Sequence, residues 1–352
     1  MAVAAVLVAA PATAQSCVLT RLDSPVLHAF DPAFDAAEEL AWQFSAGWRY
    51  GRSDRHFVGT DEQEQRQREG SEVINSVHLL DLELRYNFDP QSSISVGVPY
   101  LMAVRTGPVR GENREVLFRE TRSNTRGIGD ISVVYHRLLR DPGERPRSNL
   151  SLGVGLELPT GENAQTGVST DLVDGVLVTS IETADQSVQP GDGGFGIVLQ
   201  ASGYALLNQA GSLAGYASAT YILAPEGDSG VRTFRGAPQE AVMSIADQYV
   251  GRLGLQLGLP TWKGLSPGLG ARIEGIPAHD LIGSSDGFRR PGYMLSAEPS
   301  VAWVRGPHAL SLALPIAVER NRQRSVADIE RGRHGDAAFP DYLVLAGYSR
   351  RF

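Results

Sequence analysis

Apolar and polar residues alternate with a period of two in many segments of this chain. Across residues 42–50, tryptophan, phenylalanine, alanine and tyrosine alternate with polar residues and glycine. Across residues 80–88, leucines and aromatic residues alternate with Asp, Glu, Arg and Asn. Because successive side chains of a β-strand point to opposite faces, this period predicts strands with one apolar and one polar face.

Similar segments recur along the chain and predict about twelve strands in an all-β protein. The predicted strands are residues 42–50, 80–88, 93–105, 127–139, 149–159, 194–207, 212–224, 248–260, 265–277, 293–304, 309–320 and 342–352.

The predicted connections fall into two classes. The short ones include residues 89–91, 140–148, 208–211, 261–264 and 305–308, whereas the long polar ones include 53–76, 106–126, 160–193, 225–247 and 321–340. An even number of strands, with short turns at one rim and long loops at the other, is typical of outer-membrane barrels. We therefore expect a transmembrane, antiparallel up-and-down β-barrel with short periplasmic turns and long extracellular loops.

The N-terminal segment predicts export. Residues 1–10 are almost wholly apolar, and Ala12 and Ala14 fit the small-residue rule for signal-peptidase cleavage. The expected organisation is a signal peptide at 1–14, a periplasmic segment at 15–40 and a barrel at 41–352, located in the outer membrane. Residues 31–40 have helical character. They are either a small plug in the lumen or part of a periplasmic tail.

Composition excludes several other classes. After the N-terminal segment, no stretch approaches the roughly 18 consecutive apolar residues of a membrane-spanning helix. The chain has 40 Asp+Glu against 32 Lys+Arg and no basic stripe, so no nucleic-acid partner is expected. The single cysteine, Cys17, and histidines without ligand spacing predict neither a metal site nor a cofactor. The expected partners are membrane lipid, lipopolysaccharide and a small-molecule substrate.

The last predicted strand has an apolar face and ends in an aromatic residue, Phe352, although Arg350 interrupts that face. The face comprises Tyr342, Val344, Ala346, Tyr348 and Phe352. This ending resembles the C-terminal signature that barrel-assembly machinery recognises, which makes that machinery a further expected partner.

Two short motifs occur in neighbouring predicted strands. Gly127-Ile128-Gly129-Asp130 begins the fourth strand, and Glu157-Leu158-Pro159-Thr160-Gly161-Glu162 ends the fifth. This pair resembles the outer-membrane family named after the meta-cleavage pathway of phenol degradation. The resemblance extends over most of the chain and implies transport of small hydrophobic or aromatic compounds.

Prolines recur at comparable positions in the predicted strands. Because proline cannot donate a ladder hydrogen bond, it marks bulges, bends or edges. A hydrophobic solute could leave the barrel sideways at such bends. Turn lengths place Asp81 opposite Pro99, Glu298 opposite Pro315, and Asp130 opposite Glu157 or Pro159. The bend candidates are Pro99, Pro159, Pro225, Pro277 and Pro315.

Charged residues at inward positions are the candidate functional residues. In one interpretation they pair with one another and with Glu83, Arg272 and His136 to fill the lumen, since buried charges need partners. In the other they line a water-filled path and set its selectivity. The lumen candidates are Asp81, Arg85, Arg105, Asp130, Glu157, Arg252, Glu274 and Glu298.

These observations lead to three hypotheses. The first is a passive channel for small hydrophobic or aromatic compounds, and the second is a plugged structural or binding barrel. The third, a barrel lipid hydrolase, has little support because no histidine is followed two positions later by serine. The nearest pair, His308 and Ser311, should lie on different strand faces. We expect a protein that is not an enzyme.

Overall fold

The computed structural model describes residues 41–144 and 146–352. These residues form a closed antiparallel barrel of 12 strands, in which each strand pairs with the next and the last pairs with the first. The strands are β1 Trp42–Val58, β2 Ile74–Asn87, β3 Ser92–Arg110, β4 Val116–Ile128 with Ile131–Leu138, β5 Ser148–Leu158, β6 Gly196–Leu206, β7 Leu213–Leu223, β8 Gln248–Leu257, β9 Leu265–Ile276, β10 Gly292–Arg305, β11 His308–Ala313 with Ile316–Asn321, and β12 Ala337–Arg351. The predicted fold class is confirmed. The predicted signal peptide and the 15–40 segment lie outside the described residues.

The loops carry a few small elements. Helix α1 spans Glu64–Arg68 and helix α2 spans Val326–Glu330. Two short strands, Thr166–Val173 and Val176–Thr183, form a hairpin. In addition, Asp228–Arg232 pairs with Val242–Ser244, and Asp61–Glu62 pairs with the end of β1. Single 3-10 turns occupy Pro142–Glu144, Gln186–Val188 and Pro238–Glu240. No helix of the described residues is long and apolar enough to span a bilayer.

The outer surface of the barrel is apolar, as the period-two pattern predicts. On β5, Leu150, Leu152, Val154 and Leu156 are all exposed on the outward face, whereas the alternating inward positions include small glycines. Exposed aliphatic residues in such a row are stable only against lipid. The barrel therefore faces hydrocarbon on its outside and carries its polar and charged residues inside.

The strands at the extracellular rim are longer than the sequence predicts. Residues 106–126, predicted as a loop, are mostly strand, and only 111–115 connect β3 to β4. The prediction fails there because strands that extend beyond the lipid need no apolar outward face. The alternation of apolar and polar residues therefore becomes weaker, while the hydrogen-bond ladder between the strands continues. Polar contacts then hold the extension together: the Arg119 guanidinium binds the Glu72 carboxylate at 3.1 Å and the Gly70 carbonyl at 2.8 Å.

A β-bulge interrupts β4 opposite Pro99. Above it Tyr100 pairs with Ile128, and below it Gly97 pairs with Ser132, so β4 contains one extra residue. The Gly129 N–H still donates to the Pro99 carbonyl at 2.8 Å. The two segments of β4 consequently direct opposite residue parities into the lumen.

The five prolines do not all act as bends. Pro99 lies at the bulge, and Pro315 separates the two segments of β11. Pro159, Pro225 and Pro277 instead follow the last residues of β5, β7 and β9 closely, so they end strands rather than bend them. Since proline has no N–H, each of these three stops the ladder at the point where a loop begins.

The predicted pairings across these prolines are observed. Asp81 pairs with Pro99. The flanking pairs Ala297–Ile316 and Ser300–Ala313 place Glu298 opposite Pro315. The pair Ile131–Leu158 places Asp130 opposite Pro159, one of its two predicted partners.

Candidate functional site

A cavity of about 70 Å³ lies inside the barrel at the extracellular ends of β5, β8 and β9. Its apolar wall is formed by Leu79, Pro99, Leu101, Ala246 and Ile276. Its polar wall includes Asp130, Glu157, Gln186, Asp192 and Gln248. Two of the predicted lumen residues, Asp130 and Glu157, therefore lie in the same cavity.

The two sequence motifs are joined by hydrogen bonds beside this cavity, and we call this set of hydrogen bonds the clasp. The Thr160 hydroxyl donates to the Gly129 carbonyl at 3.0 Å and accepts from the Ile131 N–H at 2.9 Å, so it bridges the bulge in β4. The Asp130 carboxylate accepts from the Gly161 N–H at 2.8 Å. The motif residues thus have a structural role, which is to join the bulge of β4 to the end of β5.

The motif glycines permit a close approach of three backbone segments. A Cβ on Gly129 would lie 2.7 Å from the Pro190 carbonyl oxygen, and one on Gly161 would lie 2.7 Å from the Gly191 Cα. Both distances are shorter than real Cβ contacts allow. A larger residue at either position would push away the loop that contains Pro190 and Gly191.

That loop folds into the lumen, and its residues 184–194 are called the inward segment here. Val188 is fully buried and packs with Ala184 against Val77, Leu79 and Leu101. The Thr125 hydroxyl donates to the Val188 carbonyl, and the Gln189 carboxamide donates to the Ala184 carbonyl at 2.9 Å. The sequence predicted a long polar loop but not its position inside the barrel.

A buried ion-pair cluster holds the start of the inward segment. Asp185 lies 3.2 Å from Arg105 of β3 and 2.5 Å from Arg290 of the loop before β10. Burial alone would raise the pKa of Asp185, but the guanidinium groups of Arg105 and Arg290 hold it well below its usual range. The predicted lumen residue Arg105 therefore has an acidic partner that the sequence analysis did not identify.

Three carboxylates meet at the other end of the inward segment. Oxygens of Asp130, Glu157 and Asp192 lie within 4.8 Å of one another. Asp130 also accepts from the Asp192 backbone N–H at 2.9 Å. Burial, with the neighbouring Asp130 charge, raises the pKa of Asp192 to about 7. Within the described ranges, this carboxylate trio is the one group whose spacing suits a bound cation.

A second charged network crosses the lumen. It contains Arg252 of β8, Arg272 and Glu274 of β9, Glu298 of β10 and Arg49 of β1. Arg252 binds Glu298 at 2.6 Å, Arg272 binds Glu274 at 2.6 Å, and Arg49 binds Glu274 at 2.5 Å. Arg272 and Glu298, whose closest atoms are 3.6 Å apart, join the two halves. We call this chain of charges the lumen bridge.

The remaining predicted lumen residues, Asp81 and Arg85, lie on β2. Arg85 contacts Glu83 on its own strand at 3.2 Å. Asp81 is half-buried on the inward face of β2. The candidates therefore divide among the cavity, the Asp185 cluster, the lumen bridge and β2 rather than forming one ring.

The sequence pattern did not indicate five further residues of the interior as functional candidates: Arg49, Asp185, Gln186, Asp192 and Arg290. Arg49 sits in a visible alternating strand, but its partner is on a strand far along the sheet. The other four lie in loops without periodicity. The run Gln189-Pro190-Gly191-Asp192-Gly193-Gly194 is a turn signal and carries no sign that the loop enters the barrel.

Comparisons place this chain among solved outer-membrane barrels. No family model matches the chain. No curated protein matches it either. An outer-membrane channel from Pseudomonas putida F1 superposes with a TM-score of 0.54 at 13% identity, covering 89% of this chain and 96% of that one.

Two further solved structures align at lower scores. The toluene transporter TodX of P. putida has a TM-score of 0.44 at 10% identity, with 94% of this chain and 93% of that one covered. The β domain of the Bordetella autotransporter BrkA has a TM-score of 0.46 at 14% identity, with coverages of 89% and 100%. The closed barrel and its apolar exterior locate the chain in the bacterial outer membrane.

Proposed function

We propose that this protein is a passive outer-membrane channel for small hydrophobic or aromatic compounds. The observation that carries the proposal is the cavity beneath the inward segment. Leu79, Leu101 and Ile276 give it an apolar lining beside several polar residues, and small-molecule sites typically combine apolar lining with a few polar groups. Passage would require the inward segment to move, because Val188 and Ala184 pack against that wall.

The sequence motifs support the same function. The G-x-G-D and L-P-T-G motifs resemble those of the phenol-degradation-pathway family, and we propose that this chain is a member with a related transport role. The name of the P. putida F1 protein, an outer-membrane channel, agrees with that role. We propose no catalytic activity: His308, the histidine most closely followed by a serine in the sequence, is hydrogen-bonded to the Tyr348 hydroxyl at 2.9 Å.

The lumen bridge favours a second candidate function, a plugged structural or binding barrel. Arg272 and Glu298 are almost completely buried, so the bridge fills the part of the lumen it crosses. In this alternative the extracellular loops bind lipopolysaccharide or a partner and nothing is conducted.

The proposal includes two further partners, the barrel-assembly machinery and lipopolysaccharide. The outward face of β12 ends at Phe352, whose ring is half exposed, and this supports recognition of the C-terminal strand by barrel-assembly machinery. Lipopolysaccharide would contact the extracellular extensions of β3 and β4 and the turn between them, where Arg110, Arg114 and Arg126 are exposed.

Solute uptake into proteoliposomes tests the channel against the plugged barrel. The refolded mature chain is placed in membranes containing lipopolysaccharide, which slows unassisted entry, and uptake of radiolabelled benzyl alcohol is compared with that of glucose. Faster benzyl alcohol uptake than in protein-free liposomes supports the channel. Equal rates, with a barrel whose electrophoretic mobility confirms folding, support the plugged alternative.

The variant Asp130→Asn sharpens this test, because it weakens the clasp on the inward segment. A channel gated by that segment should show faster uptake and larger single-channel steps in this variant. The matched control is Asp171→Asn, since Asp171 is exposed in the loop hairpin and remote from the cavity. A plugged barrel would leave both variants impermeable.

A further inference from the structure

The cavity is large enough for a few water molecules but smaller than an aromatic ring needs. It measures about 70 Å³, whereas an engineered apolar cavity that binds benzene measures about 150 Å³, so a ring enters only when the inward segment moves. The apolar wall of Leu79, Leu101 and Ile276 supplies a surface for the ring.

The polar part of the cavity lining is rich in hydrogen-bond acceptors. Asp130, Glu157 and Asp192 present carboxylate oxygens within 4.8 Å of one another. Among the described residues that line the cavity there is no arginine, lysine or histidine. No described arginine or lysine forms an ion pair with Asp130 or Asp192, and the nearby Asp185 is already bound by Arg105 and Arg290.

The carboxamide oxygen of Gln186 is a further acceptor at this cavity. The carboxamide nitrogen of Gln186 donates to the Ser244 carbonyl, which fixes the orientation of the group. Its carboxamide oxygen is buried from solvent and accepts no hydrogen bond from any described residue, yet Gln186 lines the cavity. A buried acceptor without a hydrogen bond is destabilising, because nothing replaces the water that it lost on burial. A ligand that brings a donor would remove that destabilisation.

The apolar residues and the hydrogen-bond acceptors together determine which kind of ligand suits the cavity. We propose that the cavity binds arylalkylamines such as benzylamine, with the ring against Leu79, Leu101 and Ile276 and the ammonium group directed at Asp130, Asp192 and the Gln186 oxygen. This inference rests on the proposed channel function and specifies its substrate class. Neutral alcohols bind more weakly because they have one donor and no charge. Hydrocarbons gain only the apolar contact, and carboxylates are repelled.

Calorimetric binding to the refolded full chain in detergent tests the proposal with four ligands that differ only in the group on the ring. Benzylamine should bind about tenfold more tightly than benzyl alcohol, because a hydrogen bond to a charged group is stronger than one to a neutral group, and tenfold corresponds to about 1.4 kcal/mol. Toluene should bind more weakly than the alcohol, and benzoate should not bind measurably. Equal affinity for benzylamine and benzoate would overturn the proposal.

Two variants separate the effect of the hydrogen-bond acceptors from a general effect on folding. Asp192→Asn keeps the backbone N–H that binds Asp130 and removes the charge, so it should remove most of the preference for benzylamine over benzyl alcohol. Gln186→Leu should weaken both ligands that carry a donor and leave toluene unchanged. Asp171→Asn should match the unmodified chain. An unchanged preference in Asp192→Asn, with normal folding, contradicts the proposed site.

Uptake of the same four compounds distinguishes failure of this inference from failure of the channel function. If the proteoliposomes take up all four at equal rates, the channel function holds and the proposed selectivity is wrong. If none enters but benzylamine binds with the predicted preference, the site is real and the barrel is not a channel for these solutes.

Discussion

The Asp130 carboxylate accepts a hydrogen bond of 2.9 Å from the backbone N–H of Asp192, and this bond joins the wall of the barrel to a loop inside it. The same carboxylate accepts from Gly161 at the end of β5. One side chain from a sequence motif therefore holds both the bulge of β4 and the inward segment. A substitution at Asp130 changes both the lining of the cavity and the attachment of the inward segment. Variants at other positions are therefore needed to separate these two effects.

Thr160→Val should destabilise the clasp without changing its shape. The variant loses the two hydrogen bonds that the hydroxyl makes across the bulge, with Gly129 and Ile131. The free energy of unfolding, measured in urea by the electrophoretic mobility of the folded barrel, should fall by about 1–3 kcal/mol. Thr160→Ser should retain most of the stability, and Thr121→Val, at an exposed position of β4, is the control. Equal losses at positions 160 and 121 would refute the clasp.

Glu298→Gln should strongly destabilise the barrel. Glu298 is fully buried and contacts both Arg252 and Arg272, so its neutralisation leaves buried guanidinium charge without compensation. Breaking such a pair costs about 3–5 kcal/mol, whereas replacing both partners with apolar residues costs far less. The double variant Arg252→Met with Glu298→Leu should therefore be more stable than Glu298→Gln in the same urea titration. The reverse order would contradict the role of the lumen bridge.

Asp185→Asn should release the inward segment. It leaves Arg105 and Arg290 close together without the carboxylate that binds both. Hydrogen exchange of residues 186–192 should accelerate, while exchange of the barrel strands stays as in the unmodified chain. Single-channel steps should also become larger. Unchanged exchange in this segment would show that the ion-pair cluster does not hold it.

The inward segment should loosen as pH rises through about 7. The pKa of Asp192 is raised from 3.8 to about 7 by burial and by Asp130, and Glu226 acts in the same direction. The packed segment thus prefers the protonated carboxyl: this stabilisation is fully present below the ordinary pKa and is lost as pH rises through the folded value. Glu157, the third member of the trio, also faces Asp192.

Hydrogen exchange measures this pH dependence. After correction for the intrinsic effect of pH, protection of residues 186–194 should be lower at about pH 8 than at about pH 6. Asp192→Asn should flatten the profile, since an amide does not titrate in this range. A profile that keeps its slope in that variant would assign the titration to another group.

Much of the barrel wall follows from the sequence. Lipid contact imposes alternation on every strand, and short turns leave little freedom of register, which is why Asp81 falls opposite Pro99 as predicted. The turn at Asp89 also has a local cause, since its carboxylate accepts from the N–H groups of Gln91 and Ser92. Where lipid contact ends, as in residues 106–126, that constraint weakens and the predicted strand ends are wrong.

The contacts inside the barrel are much less predictable from the sequence. The inward segment has no periodicity, and its position depends on contacts with residues far along the chain, such as Arg105 with Asp185 and Arg290 with Asp185. The Arg49–Glu274 pair likewise joins strands that are not neighbours. Alternation predicts that these charges point inward, but it contains no information about which charges meet.

The lumen bridge divides the interior of the barrel into two unequal sides. In the order of the strands, β9 and β1 are separated by four steps through β10, β11 and β12, and by eight steps through β2 to β8. On the smaller side, Met294, Ala313, Phe339 and Leu345 form a packed apolar cluster. The cavity at Leu79 and Leu101 is on the larger side. The smaller side still holds a cavity of about 40 Å³ beside Arg49, Glu274 and Phe339, but the cavity on the larger side is about 70 Å³. The interior is thus asymmetric, and we expect a solute to occupy the larger side.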